Sequence, residues 1–277
     1  MEIKFSWRGR EVITVVVLSI VAVLAIIPFA YMVISSLKTN LDVLAVPFEW
    51  IPKELHFENY WIPLVEKPFA RYFGNSFVVA LAVTLGQVIT CSLAGYSLSK
   101  FNYPGRGLIF YIILSQLMIP FPVIMVPLFL IIRSFGWINS YMGLIVPLAT
   151  HAFGIFLMRQ FIAEIPDSLI EAARIDGAKE VSIFSKIIVP LSTAGILTLS
   201  VFCFTGNWNE FAWPLLIINT EEMYTLPVAI AFFEGMYSTN YTQLMAVAFI
   251  ATIPTLMIFF FLQKQFTQGI VMSGLKE

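Results

Sequence analysis

Read for hydrophobic and polar positions, the chain falls into long apolar runs separated by short polar ones. A helix that crosses a bilayer needs about 20 mostly apolar residues. Six runs come near or pass that length, at about residues 12–37, 73–98, 108–132, 141–158, 187–205 and 243–262. Their apolar positions are continuous rather than alternating, which is the pattern of spanning helices and not of a transmembrane barrel. The pattern predicts an all-α integral membrane protein: six transmembrane helices in a single domain over residues 1–277, with a polar tail at 264–277.

Composition agrees and adds a direction. The 277 residues are 59% hydrophobic and 12% charged, with a mean hydropathy of +0.86, where a soluble domain carries about 25% charged residues. Lys4, Arg8 and Arg10 precede the first run as they would in a signal peptide. That run is too long for a signal core and no small-residue cleavage site closes it, so it is read as retained. Six spans put both termini on one side, and that side holds eleven of the 16 Lys and Arg residues against five on the other. Basic residues favour the cytoplasmic side, so both termini are expected in the cytoplasm. A net charge of −1 gives no attraction to nucleic acid. Cys91 and Cys203 sit singly in apolar runs, and His56 and His151 are far apart. All four read as structural, with no metal site.

One stretch breaks the pattern. Between the fourth and fifth runs, residues 164–186 carry eight charged side chains, from Glu164 to Lys186. Pro166 and Asp167 suit the first turn of a helix. Leu169, Ala172 and Ala173 recur on one helical face, and Asp176-Gly177 is a turn signal. The segment is expected to form a short amphipathic helix, a sharp turn and a second short helix leading into the fifth span. It lies on the cytoplasmic side. Its alanine-rich face suits close approach of a protein surface better than contact with lipid.

Glu171, Ala172 and Ala173, then Gly177, then Ile187 and Val189-Pro190 resemble the EAA loop of ABC importer permeases, with Val for the usual Leu before the proline. "AGYSLSKFNYPGR" (Ala94 to Arg106), "NWNEFAWPLL" (Asn207 to Leu216) and the tail "FTQGIVMSGLKE" (Phe266 to Glu277) resemble the carbohydrate-uptake branch, which holds maltose-type, multiple-sugar and glycerol-phosphate permeases. The resemblance covers essentially the whole chain. It implies a coupling role for Glu171, Ala172, Ala173, Ile175, Asp176, Gly177 and Pro190, which would seat on a separate ATPase. It also implies a second homologous permease in a heterodimer, an ATPase dimer that holds Mg-ATP, an extracytoplasmic solute-binding protein, and a tail that reaches the ATPase dimer interface.

The remaining residues fit that expectation. No GxxxxGK[ST] phosphate loop occurs, so ATP would have to be hydrolysed by a partner chain. No nucleophile, metal or paired-carboxylate arrangement suggests an enzyme, so neither catalytic residues nor a cofactor of this chain is expected. Ala82, Gly86, Thr90 and Ala94 form a small-residue stripe suited to close helix packing. Pro120, Pro122 and Pro127 interrupt the third span, as in a bent, cavity-lining helix. Gly269 and Gly274 suggest a non-helical extension past the sixth span. The long outside loop from Lys38 to Arg71, with Trp50, Tyr60 and Trp61, is expected to touch the partner permease or the binding protein.

For the cargo path the candidates are Asn207, Trp208, Asn209, Glu210 and Trp213 at the end of the fifth span. Amides and a carboxylate suit sugar hydroxyls, and flat rings suit sugar C–H faces. An interfacial aromatic belt would explain the two tryptophans equally well. The cargo expected is a sugar or oligosaccharide, with a polyol or glycerol phosphate as the alternative. A secondary transporter driven by an ion gradient would bury ionisable groups at mid-membrane, and only Glu210, near a span end, approaches that. A channel subunit is the other rival.

Overall fold

A computed structural model describes the backbone of residues 7–236 and 240–274, and side chains over 11–233 and 240–260. Among the described residues there are helices and no strands. In chain order the helices are α1 (Trp7–Ser36), α2 (Asn40–Val43), α3 (Glu58–Val65), α4 (Phe69–Lys100), α5 (Arg106–Ser115), α6 (Phe121–Ser134), α7 (Tyr141–Ile145), α8 (Ala152–Ala163), α9 (Asp167–Ile175), α10 (Glu180–Ile183), α11 (Val189–Leu191), α12 (Thr193–Trp208), α13 (Ala212–Ile217), α14 (Leu226–Met236) and α15 (Tyr241–Gly274).

Three stretches are single helices long and apolar enough to cross a membrane: Glu11–Ser36, Phe69–Lys100 and Tyr241–Phe260. The other three expected spans are each a bent pair. Arg106–Met118 meets Phe121–Ser134 at 104°, Tyr141–Leu148 meets Ala152–Ala163 at 45°, and Glu180–Leu191 meets Thr193–Trp208 at 78°. The third span bends at Pro120, as its prolines suggest, and breaks also fall within 141–158 and 187–205. The breaks have local causes. Pro120 is the extended residue that starts α6, since a proline without an N–H cannot continue the preceding helix. A π-helical turn over Phe184–Ile188 precedes Pro190, whose ring excludes the regular bond to the carbonyl four residues back. The non-helical extension expected from Gly269 is also corrected, because α15 runs to Gly274; Leu275 to Glu277 lie outside the described residues.

The chain divides into two compact units, residues 1–70 with 230–253, and residues 71–229 with 254–277. In the first unit α1 is apolar on every face and its described side chains are largely exposed, as for a helix surrounded by lipid. The loop after it is held by side-chain hydrogen bonds. Asn59 Nδ2 donates to the carbonyls of Ser36 and Lys38, both at 2.9 Å, and Thr242 Oγ1 donates to Asn59 Oδ1 at 3.1 Å. Lys38 is buried, with Nζ 3.7 Å from the centre of the Phe48 ring and a bond to the Glu49 carbonyl.

The second unit has two cores. One gathers Cys91, Tyr96, Met158, Ile162, Ile170, Ile183, Ile188 and Leu199 beneath α9 and α10. The other gathers Val79, Val83, Ile132, Leu144, Trp213 and Ile217. Between them α4 lies close against the break before α8. A Cβ on Gly86 would stand 3.0 Å from that of Ala149. Close approach lets α4 side chains reach the carbonyls that the break leaves unpaired. Gln87 Nε2 donates to Leu148 at 2.6 Å, Thr90 Oγ1 to Ala149 at 2.8 Å, and Cys91 Sγ to His151 at 3.5 Å. An irregular backbone at membrane depth persists only where protein satisfies it in this way. Of the small-residue stripe, Gly86 and Thr90 make this contact, and Ala94 packs on the first core.

Candidate functional site

The polar segment after α8 is built as two helices joined by a glycine. Helix α9 begins at Asp167, directly after Pro166, and ends at Ile175. Gly177 has φ of +79°, a left-handed conformation open to glycine without steric cost. Its N–H donates to the Arg174 carbonyl at 3.0 Å, and that of Ala178 to Ala173 at 2.9 Å. This double bond pattern is a Schellman cap, which satisfies the last carbonyls of α9. Lys179 then leads into α10.

The unit is fastened to α4 at both ends. Lys100 Nζ pairs with Asp167 Oδ1 at 2.7 Å and donates to the carbonyls of Ala163 and Ile165, where α8 ends. Its hydrogen bond and charge hold the Asp167 carboxyl below the usual carboxylate range. Arg174 Nε lies 2.7 Å from Glu180 Oε1, and Tyr96 donates to Glu180 Oε2 at 2.8 Å. The inward face of α9 is Ile170 and Ala173, packed on the first core. The outward face is Leu169, Ala172 and Ile175, with Ile175 86% exposed. The grouping of Leu169, Ala172 and Ala173 on one face is thus corrected: Ala173 turns inward with Ile170, and the exposed face is bulkier than alanines alone. Glu171 and Asp176 are exposed, and neither has an ion pair among the described residues. Pro190 sits apart from this face, on α11.

A cavity of about 340 Å³ opens in the same unit, where the broken helices meet. Its polar lining is Gln87, His151, Asn207 and Glu210, and its rings are Phe121, Phe153 and Phe202. Four of these positions lie at helix starts or ends. Phe121 starts α6, His151 precedes α8, and Asn207 and Glu210 flank the end of α12. The five candidates at residues 207–213 therefore separate. Asn207 lines the cavity and donates to the Cys203 carbonyl at 2.7 Å. Glu210 lines it too, and its Oε1 accepts the Trp213 N–H at 3.1 Å. Asn209 is exposed and bonds back to Thr205 at 2.8 Å.

The two tryptophans pack in the core and are not among the residues that line the cavity. Trp208 is 2% exposed between Phe73 and Phe204. Trp213 is fully buried, and its Nε1 donates to the Gly143 carbonyl at 3.1 Å. Both rings are turned away from the cavity and from the surface of this unit. Gln87, His151 and the three phenylalanines are lining residues that sequence reasoning missed. The available signal was a histidine and a glutamine set within apolar stretches. Of the loop from Lys38 to Arg71, Tyr60 is partly buried, edge-on to Phe249, whereas Trp50 and Trp61 stay exposed.

Known proteins resemble the chain along most of its length. The profile of the family described as "Binding-protein-dependent transport system inner membrane component" matches residues 87–271. The arabinooligosaccharides transport system permease protein AraQ of Bacillus subtilis is 31% identical, covering 92% of this chain and 92% of its own. The sn-glycerol-3-phosphate transport system permease protein UgpE of Yersinia enterocolitica is 34% identical, covering 96% and 98%. A chain from a bacterial ABC transporter involved in the import of the acidic polysaccharide alginate superposes with a TM-score of 0.84 at 26% identity, covering 95% of this chain and 99% of that one.

Proposed function

The chain belongs to the family of binding-protein-dependent transport system inner membrane components, and from that premise we propose that it forms one half of a membrane path for a sugar or oligosaccharide. It is a multi-pass permease subunit of an ABC importer. In this reading α9 and α10 are the contact with a separate ATPase dimer that binds Mg-ATP, a second permease completes the path, and a binding protein delivers the cargo. The eleven-to-five distribution of Lys and Arg supports both termini being cytoplasmic.

The observation that carries the reading is the continuity of one core. Ile170 under the exposed helix, Ile183 and Ile188 along α10 and the turn after it, and Leu199 and Cys203 on α12 belong to a single packed cluster. Leu199 and Cys203 also line the cavity. A close-packed interior transmits displacement rather than absorbing it. A push on the outward face of α9 would therefore be felt at the cavity wall. A carrier driven by an ion gradient, or a channel subunit, would leave an exposed amphipathic helix so fastened without a purpose.

The cavity lies at the small end of the range of ligand sites, roughly 300–1,000 Å³, and suits a sugar ring. Amide and carboxylate oxygens accept hydroxyl protons, and phenylalanine rings cover C–H faces. The test is reconstitution with the partner permease, the ATPase and the binding protein in vesicles. Uptake that depends on ATP, and ATPase activity raised by the loaded binding protein, are expected. Cargo uptake that follows an ion gradient and ignores ATP would overturn the reading.

A further inference from the structure

Taking the cavity as the cargo path, we infer that it admits uncharged cargo and turns away anions, with Glu210 as the residue that sets this selectivity. Among the described residues, the lining holds one carboxylate, one imidazole and two amides, and no lysine or arginine. Of the basic side chains at 71–229, Arg71, Arg133, Lys179 and Lys186 are not among the lining residues, and the other four are engaged elsewhere. Lys100 caps the end of α8, Arg106 donates to the Phe101 carbonyl, Arg159 stacks on Phe110, and Arg174 meets Glu180. Glu210 is fixed in place, because Oε1 holds the N–H of a tryptophan that is itself buried and bonded to Gly143.

A phosphate or uronate entering this space would lose hydration between phenylalanine rings with no cation from this chain to replace it. It would also meet a like charge across a medium far less screening than water. A neutral sugar meets the opposite situation, since its hydroxyls can donate to the Glu210 carboxylate. The inference groups this chain with the arabinooligosaccharide permease. It separates the chain from similar proteins named for sn-glycerol-3-phosphate and for an acidic polysaccharide.

The test reads the charge of the cavity directly. Gly206 lines the cavity, and a Cβ added there meets no atom within 4 Å. Gly206→Cys is made in a Cys91→Ser, Cys203→Ser background of the assembled transporter in vesicles. Labelling is run at pH 8, where a histidine is mostly neutral. The thiol is treated with methanethiosulfonates of matched size bearing a trimethylammonium, no charge or a sulfonate, each rate being divided by that with free 2-mercaptoethanol. The cationic reagent is expected to react at least about tenfold faster than the anionic one, a difference of ~1.4 kcal/mol. Glu210→Gln should bring the ratio close to one. Asn207→Cys repeats the measurement if the first variant does not assemble. Equal rates with Glu210 present overturn the inference and leave the cargo path standing. A ratio unchanged by Glu210→Gln removes Glu210 from the role. A thiol that no reagent reaches at any stage of ATP-driven turnover overturns the path, and the inference with it.

Discussion

Arg174 on α9 and Glu180 on α10 face each other across the Gly177 turn, Nε to Oε1 at 2.7 Å, and Tyr96 of α4 holds the other carboxylate oxygen. The pair is half-exposed, so its contribution to stability is small. Its value is geometric. It fixes the angle between two short helices that would be marginal alone, and it ties that angle to α4. A helix pair held in this way moves as one body when its outer face is pushed.

Gly177 is the turn within that body. Its φ of +79° costs a residue with a side chain about 1–2 kcal/mol, and nothing lies within 4 Å of the Cβ it would add. The penalty is therefore one of backbone conformation alone. Gly177→Leu should insert and assemble, yet lose most uptake, while Gly177→Asn, which tolerates the left-handed region, should retain more. Uptake and ATPase rates measured side by side check this; equal uptake in both variants and the wild type would remove the turn from the mechanism.

The two faces of α9 should respond in opposite ways. Ile170 is 2% exposed in the core, and Ile170→Ala should cost about 2–5 kcal/mol of stability. Ile175 is 86% exposed, and Ile175→Asp should leave the thermal transition of the isolated permease within about 0.5 kcal/mol of wild type. The same change should weaken co-purification with the ATPase. Retention of the ATPase by Ile175→Asp would place the contact elsewhere.

Much of this was legible in the sequence, for identifiable reasons. Apolar runs reveal long helices because lipid imposes length and composition on them. The turn at Gly177 could be read because Asp-Gly after a short amphipathic run has few other uses. The bends could be read in part, since Pro120 announced the first of them. The break around Ala149 to His151 was not legible, because its unpaired carbonyls are satisfied from Gln87 and Thr90, some sixty residues earlier in the chain. The cavity was missed for the same reason, being assembled from residues of four helices and their ends. The cluster at 207–213 could not be divided, because a tryptophan beside an asparagine looks the same in sequence whether it faces a cavity or fills a core.

The Lys100–Asp167 pair predicts a pH effect whose sign is fixed. The Asp167 carboxyl is held below its ordinary value, first by the hydrogen bond from Lys100 and then by its charge. The ionised form is thus favoured by folding, and the stabilisation is fully present above the ordinary value of about 3.9. It fades as pH falls from there through the lower value in the folded chain. Wild-type thermal stability in detergent should drop more steeply than that of Asp167→Asn as pH is lowered below about 4. Parallel curves for the two proteins would show that the pair does not matter to folding.

Topology admits a direct check. The five-residue minority of basic side chains includes Lys53, and the eleven-residue majority includes Lys179. Single cysteines at these positions in a Cys-free background should label from opposite sides of intact cells, with Lys179→Cys reached only after permeabilisation. Labelling of both from outside would reverse the assignment of the α9 and α10 unit to the cytoplasm, and with it the docking of an ATPase there.

The last prediction separates lining from core in the cluster that sequence alone could not divide. Trp213 is fully buried and bonded to Gly143, so Trp213→Ala should cost about 3–5 kcal/mol and reduce the amount of assembled complex. Trp208→Ala should do the same, because its ring is packed between Phe73 and Phe204. Asn207 lines the cavity, and its side chain donates to the Cys203 carbonyl of its own helix, an acceptor that the helix can satisfy without it. Asn207→Ala should therefore assemble in full and lower uptake by about tenfold, the order of one hydrogen bond to cargo. Phe202→Ala, which removes a lining ring that is half-exposed, should also assemble and lower uptake. The measurement is vesicle uptake at saturating binding protein, normalised to assembled complex. Normal uptake by Asn207→Ala and Phe202→Ala would empty the cavity of its role and move cargo contact to the partner permease. Full assembly of Trp213→Ala would instead show that the second core of this unit is not organised around that ring.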